Sequence, residues 1–451
     1  MRWLPIVLAL CACTPDEPSS PSKRTGPDPN GAPTDTYPVF FDRVPKNLLF
    51  ISIDTFRRDH MRRYGNLKEL TPFLDELAAT GVALDQHTQC SNWTFHSTTC
   101  TLLGRSNIDN GFIPRLAKNT REPVPAGTRF LSNYLSDAEF ESILISPNGW
   151  LSQEWGNAQG YSVFSSPPGT GTQAVYGDGV SRLERAIDNG ADRWFLHLHV
   201  LEPHAAYTPP AEYIPDGLPP VGVDLTDRDE HYGMRDEFDT LDPATQINLE
   251  RHLRGLYEGE LRWLDDQLRG AFEDLAGRGL LDDTLVVVWT DHGEQFWEHG
   301  RNTHAYDLYR EENDGVAFFW APNIQAGAWN GPTMATDLVP TLLQLFDLPI
   351  PDEVTGIPVG EAPDDRARHA FAVARHGAVQ SVQKDDWKLM FWWSGRAELY
   401  DLSTDPREQN DLYDPAHPKV PELWDLLRPE ATRADLLVDE FPLVWPEGSQ
   451  P

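Results

Sequence analysis

Four stretches of this 451-residue chain end or begin on groups that can hold a metal ion or move a proton. Leu285–Trp289 is an apolar, β-branched run closed by Thr290-Asp291-His292-Gly293, so a carboxylate and an imidazole leave one strand end side by side. Carboxylate oxygen and neutral imidazole nitrogen both donate to a divalent cation; a surface turn with Asp291 as a helix N-cap accounts for the pair equally well. A second apolar run, Asn47–Ile53, also ends on an acid, Asp54. A third, Trp194–Val200, carries His197 and His199 on one face, where His197 reads as a satisfied core histidine, and leads to His204 past the strand end. Hydroxyls crowd the segment Ser91–Gly104, at the start of a helix that should stop at Gly104. Thr94 there is either an N-cap or a group placed where free backbone N–H groups favour an anion.

These residues need a frame that brings strand ends together. Short apolar runs bounded by turn signals read as strands buried on both faces, and they alternate with amphipathic segments. Helices are expected over Thr71–Thr80, Thr128–Leu135, Ala174–Asn189, Ala244–Arg278 and Asp337–Phe346, with further strands over Ser142–Ile145 and Val316–Trp320. That alternation predicts an α/β, doubly wound, mostly parallel sheet, which places ligands at the carboxyl ends of its strands. Tyr207–Asp242, Pro-rich and acidic, reads as a long loop over that edge. After a Pro- and Gly-rich break near 350–365, Ala370–Ala374, Ala378–Gln383, Lys388–Trp393 and Glu398–Asp401 predict a small antiparallel sheet with a terminal helix near Val420–Leu427. The expected domains are 46–355 and a C-terminal subdomain, 366–451.

Composition narrows the partners. With 37 Lys+Arg against 70 Asp+Glu, the net charge of −33 repels nucleic acid, so an anionic substrate needs a local metal or cationic group. Residues 1–13 read as a lipoprotein signal peptide, with Cys13 as the lipidated residue. Residues 14–45, rich in Pro, Ser, Gly and Asp, read as a disordered tether. This predicts a bacterial cell-envelope protein, periplasmic or on the cell surface, held to the membrane by its N-terminal lipid only. Cys90 and Cys100 would then sit in an oxidising compartment, either paired or as buried thiols.

Five blocks in order resemble the sulfatase family of the alkaline phosphatase superfamily: NLLFISIDTFRRDHMRRYG at 47–65, TFHS running to Gly104, FLHLHVLEPHAAYTPP at 195–210, TLVVVWTDHGEQFWEHG at 284–300 and KLMFWWSGRAELYDLSTDPREQNDL at 388–412. The resemblance implies an alkaline-phosphatase-like fold and one divalent cation, calcium by family habit, with magnesium, manganese or zinc as alternatives. It implies Asp54, Asp291 and His292 as metal ligands, Thr94 in the nucleophile place, and His204 and His304 as groups assisting at the ester. The chain departs from the family where the nucleophile motif begins with Cys or Ser: Thr94 stands first, His96 replaces Pro and Thr98 replaces Arg, so no formylglycine is expected. Thr55 replaces a second Asp, and the lysine-histidine motif of the central loop is absent around Pro147–Gln153.

The implied activity is metal-dependent hydrolysis of sulfate or phosphate esters, on a small anionic ester, a sulfated or phosphorylated glycan or a lipid head group. A Thr ester must be cleared by water or passed to an acceptor, which suits phosphoryl esters and keeps a phosphodiesterase or phosphoryl transferase open as alternatives. A two-metal site would need an Asp and a His one helical turn apart, which Glu202-Pro203-His204 does not supply. A catalytically inactive lipoprotein that captures an anionic glycan is the alternative from another class.

Overall fold

The computed structural model describes residues 44–113, 122–438, 441–446 and 449. The expected signal peptide, its Cys13 and all but the last residues of the expected tether lie outside them. In chain order the strands are β1 (Asn47–Ile53), β2 (Val82–Thr88), β3 (Phe140–Ile145), β4 (Val163–Ser165), β5 (Arg193–Val200), β6 (Thr284–Thr290), β7 (Gln295–Phe296), β8 (Asn302–Thr303), β9 (Ala317–Trp320), β10 (Gly327–Met334), β11 (Arg368–Ala374), β12 (Gly377–Lys384), β13 (Trp387–Trp392) and β14 (Ala397–Asp401). The helices are α1 (Pro72–Thr80), α2 (Thr94–Leu103), α3 (Leu131–Asp137), α4 (Thr172–Asp188), α5 (Arg228–Glu237), α6 (Pro243–Gly277), α7 (Arg310–Asn313), α8 (Leu338–Leu345) and α9 (Lys419–Asp435).

Eight strands form one sheet in the order β10-β2-β9-β6-β1-β5-β3-β4. Its pairs are parallel except that β9 runs antiparallel to both β2 and β6. The centre is β1 and β6, every residue of which is buried, as expected for apolar, β-branched runs covered on both faces. Alternate residues of β1 serve two cores: Leu49, Ile51 and Ile53 pack with Leu253, Leu256 and Leu264 of α6, whereas Leu48 and Phe50 pack with Leu102 and Leu103 of α2 and Leu342 of α8. The chain therefore has the three-layer, alkaline-phosphatase-like α/β architecture that its alternating runs predict.

A second sheet, β11-β12-β13-β14, is antiparallel throughout. One face takes Val420, Leu423, Trp424 and Leu427 of α9, and the other meets Leu308 and Tyr309. Strands β2, β4, β7, β8 and β10 were not predicted. β10 reads GAWNGPTM, is exposed or half-buried over its first five residues and buried only over its last three, and shifts register between Trp329 and Pro332, so no alternation of apolar residues marks it. The expected loop after Tyr207 contains one short helix, α5, capped by Asp227, which accepts from the backbone N–H groups of Asp229 and Glu230. Cys90 and Cys100, left open by sequence, form a disulfide.

Candidate active site

Register sets the site. Ile53 of β1 lies beside Val200 of β5 and Thr290 of β6, so three strands end level. The next residues are tied across that edge: Asp54 N donates to Val200 O at 3.0 Å and Asp291 N donates to Ile53 O at 3.2 Å. Both carboxylates are thereby held at one point, completely buried. Gly293 follows His292 because a Cβ there would stand 1.9 Å from Glu311 O; only glycine lets the chain pass α7 so closely. Thr55 sits at φ +54°, an uncommon conformation for a β-branched residue, and its N–H points to Asp291 Oδ1 at 3.3 Å.

Thr94 is the first residue of α2, and Trp93, not Thr94, occupies the N-cap position. The Thr94 hydroxyl lies 3.4 Å from Asp54 Oδ2, 3.4 Å from His292 Nε2 and 3.3 Å from Asn148 Nδ2. Asn148 also donates to Asp54 Oδ2 at 2.6 Å. Ser97, one turn along, donates to Asp291 O at 2.5 Å and ties α2 to the β6 edge. His96 and Thr98 turn elsewhere: His96 packs edge-on against Trp93 and Phe371, and Thr98 donates to Thr94 O.

Asp54 Oδ1, Asp291 Oδ2 and His199 Nε2 are buried and have no hydrogen-bond partner among the described residues. Ligand atoms of these three residues lie within 4.8 Å of one another. His292 Nε2 stands 3.6 Å from Asp54 Oδ1 and 3.5 Å from Asp291 Oδ2. Its Nδ1 lies 3.0 Å from Gly293 O, which can only accept, so the proton sits on Nδ1 and Nε2 aims a lone pair at two carboxylates. Lone pairs facing one another in a dry interior are costly unless a cation lies between them. The donor set, two carboxylates and two imidazoles, fits a divalent metal ion.

The charges agree. Burial favours the neutral form of Asp54, but the imidazoles of His204, His199 and His292 outweigh it and hold its carboxyl well below the usual range. Burial and then the charge of Asp54 push Asp291 well above its usual range. Two adjacent buried carboxylates cannot both ionise without added positive charge. His199 is oriented from behind by a chain of contacts: Nδ1 to Ser52 Oγ at 2.8 Å, Ser52 Oγ to His197 Nε2 at 2.8 Å, and His197 Nδ1 to the Tyr161 hydroxyl at 2.8 Å. If His199 Nε2 binds metal, Nδ1 must carry the proton and donate to Ser52.

His204 and His304 approach the same point, with ring centroids 5.2 Å apart, and His304 lies 4.4 Å from the His292 ring. His304 Nδ1 pairs with Glu294 Oε1 at 2.8 Å. Burial and the neighbouring charges of His292 and His204 hold His304 well below its ordinary pKa, so it is neutral. Burial opposes charge on His204 too, but Asp54, Glu294 and Asp291 outweigh it and raise its pKa.

The structure thus gathers Asp54, Asp291, His292, Thr94, His204 and His304 at one edge. Sequence missed His199, Asn148, Ser52 and Glu294. Two histidines at alternate positions in an otherwise apolar strand were the available signal for His199. Asn148 lies in a loop with no pattern of its own.

The sulfatase family model matches residues 46–348. An arylsulfatase of Clostridium perfringens is 23% identical over 356 residues, covering 72% of this chain and 71% of that protein. A choline-sulfatase of Rhizobium meliloti is 24% identical over 251 residues, covering 51% of this chain and 48% of its own length. Among solved structures, BT4656 in complex with its substrate D-glucosamine-2-N,6-O-disulfate superposes with a TM-score of 0.69 at 18% identity, covering 88% of this chain and 99% of that one. A phosphonate monoester hydrolase of Silicibacter pomeroyi superposes with a TM-score of 0.64 at 20% identity, covering 88% and 96%. The match over about two thirds of the chain, on this fold, shows that the protein belongs to the sulfatase family of sulfuric ester hydrolases.

Proposed function

We propose that this protein hydrolyses organic sulfate esters with Thr94 as nucleophile and one divalent cation held by Asp54, Asp291, His199 and His292. The observation that carries this reading is the convergence of Asp54 Oδ1, Asp291 Oδ2 and His199 Nε2, buried and without a hydrogen bond among the described residues, with His199 Nε2 3.4 Å from Asp54 Oδ2 and Asp54 against the Thr94 hydroxyl. When bound, the cation lowers the pKa of the Thr94 hydroxyl and offsets charge on the ester oxygens. Two imidazoles among the ligands favour zinc over the calcium expected by family habit, because calcium prefers an all-oxygen set.

The chain's own groups do the rest. Asn148 bridges Thr94 Oγ1 and Asp54 Oδ2 and fixes the hydroxyl's direction. The Thr94 oxygen, its proton given up to solvent, attacks sulfur while the bond from sulfur to the alcohol oxygen breaks. His204, favoured in its protonated form by the surrounding carboxylates, gives its proton to that departing oxygen. Water then attacks the sulfur of the threonine ester, returns a proton to His204 and releases Thr94, which recovers a proton from solvent. Neutral His304, held by Glu294, borders the same space as a hydrogen-bond partner for the ester.

A phosphoryl version has one specific support, since Thr94 cannot form the aldehyde hydrate that expels sulfate by elimination. Turnover of p-nitrophenyl sulfate, p-nitrophenyl phosphate and bis-p-nitrophenyl phosphate with zinc, manganese, magnesium and calcium, for wild type and Thr94→Ala, decides between them. We expect sulfate-ester turnover that falls by about 10³-fold or more in the mutant. Faster phosphodiester turnover would move the assignment to phosphoryl transfer, and turnover indifferent to Thr94→Ala would remove Thr94 from its role.

A further inference from the structure

A cavity of about 730 Å³ opens beside the reacting groups, with Asn148 and His204 in its wall. Its remaining walls are unusual for an enzyme of anionic esters. Trp150, Trp155 and Trp263 line it, each half-buried, and the first two rings lie 4.9 Å apart at 36°. Three carboxylates, Glu154, Glu202 and Glu260, line it against one guanidinium, Arg228.

The carboxylates are not equivalent. Glu202 is engaged, its two oxygens accepting from Thr172 N and Thr172 Oγ1, each at 2.9 Å. Glu260 is only half engaged: Oε1 accepts from Thr208 N at 2.6 Å, while Oε2 has no hydrogen-bond partner among the described residues. The residue is 4% exposed, so water compensates little. Burial, with the charge of Glu202 added, pushes its pKa up to about 7. A carboxylate held near apolar rings with one oxygen unanswered is complementary to a cation.

Resting on the reading above, we propose that the alcohol part of the ester carries an ammonium group, protonated or quaternary, seated among Trp150, Trp155 and Trp263 and against Glu260. Indole faces attract such a cation through their quadrupole, most strongly where water is excluded. A polysulfated chain meets the opposite situation, since each further sulfate would have to approach three carboxylates. The whole-chain charge of −33 points the same way: a sulfate ester with an ammonium on its alcohol is neutral overall and is not repelled at long range.

Two matched pairs of substrates test the proposal. In the first, 2-(trimethylammonio)ethyl sulfate is compared with 3,3-dimethylbutyl sulfate, the same shape without charge. In the second, glucosamine 6-sulfate, with its free amine, is compared with N-acetylglucosamine 6-sulfate. The expected result is a kcat/KM at least about tenfold higher for the charged member of one pair, with the ratio falling toward one in Glu260→Gln and in Trp263→Ala. Which pair responds tells a quaternary from a protonated ammonium. Equal or better turnover of both neutral members would overturn the proposal and make the tryptophans a platform for neutral alcohols. Binding is read separately, by titrating tetramethylammonium and following tryptophan fluorescence. Saturable quenching, weakened in Glu260→Gln, supports the site even if p-nitrophenyl sulfate is not hydrolysed and the esterase reading fails. No saturable quenching in the wild type overturns the cation site, even if the esterase reading stands.

Discussion

Among the described residues, two places gather a histidine and two acids within ligand distance, and they differ in who supplies the positive charge. At the shared edge of β1, β5 and β6, Asp54, Asp291 and His199 face one another, with His199 Nε2 3.4 Å from Asp54 Oδ2, and the groups that lower Asp54's pKa are histidines. Where the main body meets the C-terminal sheet, His299, Glu311 and Glu408 group as tightly, but Glu408 faces Lys388 Nζ at 2.7 Å and accepts from Arg310 N at 2.7 Å. His299 there lies flat on Tyr309, with ring centroids 3.6 Å apart, and faces Glu311 at 3.5 Å. Burial opposes its charge, but Glu311 and Glu408 outweigh burial and raise its pKa. Residue types alone do not tell the two clusters apart. The second is a set of internal ion pairs that fastens the small sheet, and the first has the donor set of a divalent-cation site.

Removing one acid from each cluster breaks the comparison most sharply. Asp291→Asn should lower kcat/KM on the order of 10³-fold or more with the fold intact by circular dichroism, while Glu408→Gln should leave kcat/KM within about threefold at 25 °C. Equal losses would mean that the clusters are not different in kind.

Next in size is the effect of stranding a charge. Lys388 and Glu408 are both nearly inaccessible. Lys388→Met should therefore cost about 3–5 kcal/mol of stability, read as a lower thermal midpoint, and Lys388→Met combined with Glu408→Leu should recover most of it. No recovery in the double mutant would assign the loss to packing.

Acid sharpens the contrast further. Glu298 pairs with Arg57 at 2.5 Å and Arg254 at 3.0 Å, in a network beside the second cluster. Burial favours its neutral form, but Arg57 and Arg254 outweigh burial and lower its pKa to about 2. Because the folded value lies below the unfolded value of about 4.3, this stabilisation is complete above that pH and is lost as pH falls toward 2. The loss should be on the order of 3 kcal/mol in denaturant titrations, and Glu298→Gln should flatten stability over that window. An unchanged acid limb in the mutant would exclude Glu298 as its source.

What sequence made legible follows from what it encodes locally. β1 and β6 are short, fully buried runs, so their position and their terminal acids could be read directly. Their shared register then places Asp54 beside Asp291, a consequence of parallel pairing that the alternation of strands and helices implies. His199 could not be assigned because a histidine inside an apolar strand looks the same whether it meets a serine or an active-site carboxylate, and Ser52 and Asp54 meet its opposite nitrogens. Asn148, Trp150 and Trp155 lie on loops whose course depends on tertiary contacts, and the cavity forms only where those loops meet Glu260 and Trp263 of α6. β10 escaped because an edge strand with a proline has no apolar period.

The central claim is that one cation binds where Asp54, Asp291, His199 and His292 meet. Metal content per chain, measured by mass spectrometry after dialysis against zinc or manganese, tests it most directly. The account predicts one equivalent in the wild type and in Glu408→Gln, and far less in Asp291→Asn and His199→Ala. One equivalent retained in Asp291→Asn, or lost only in Glu408→Gln, would contradict it.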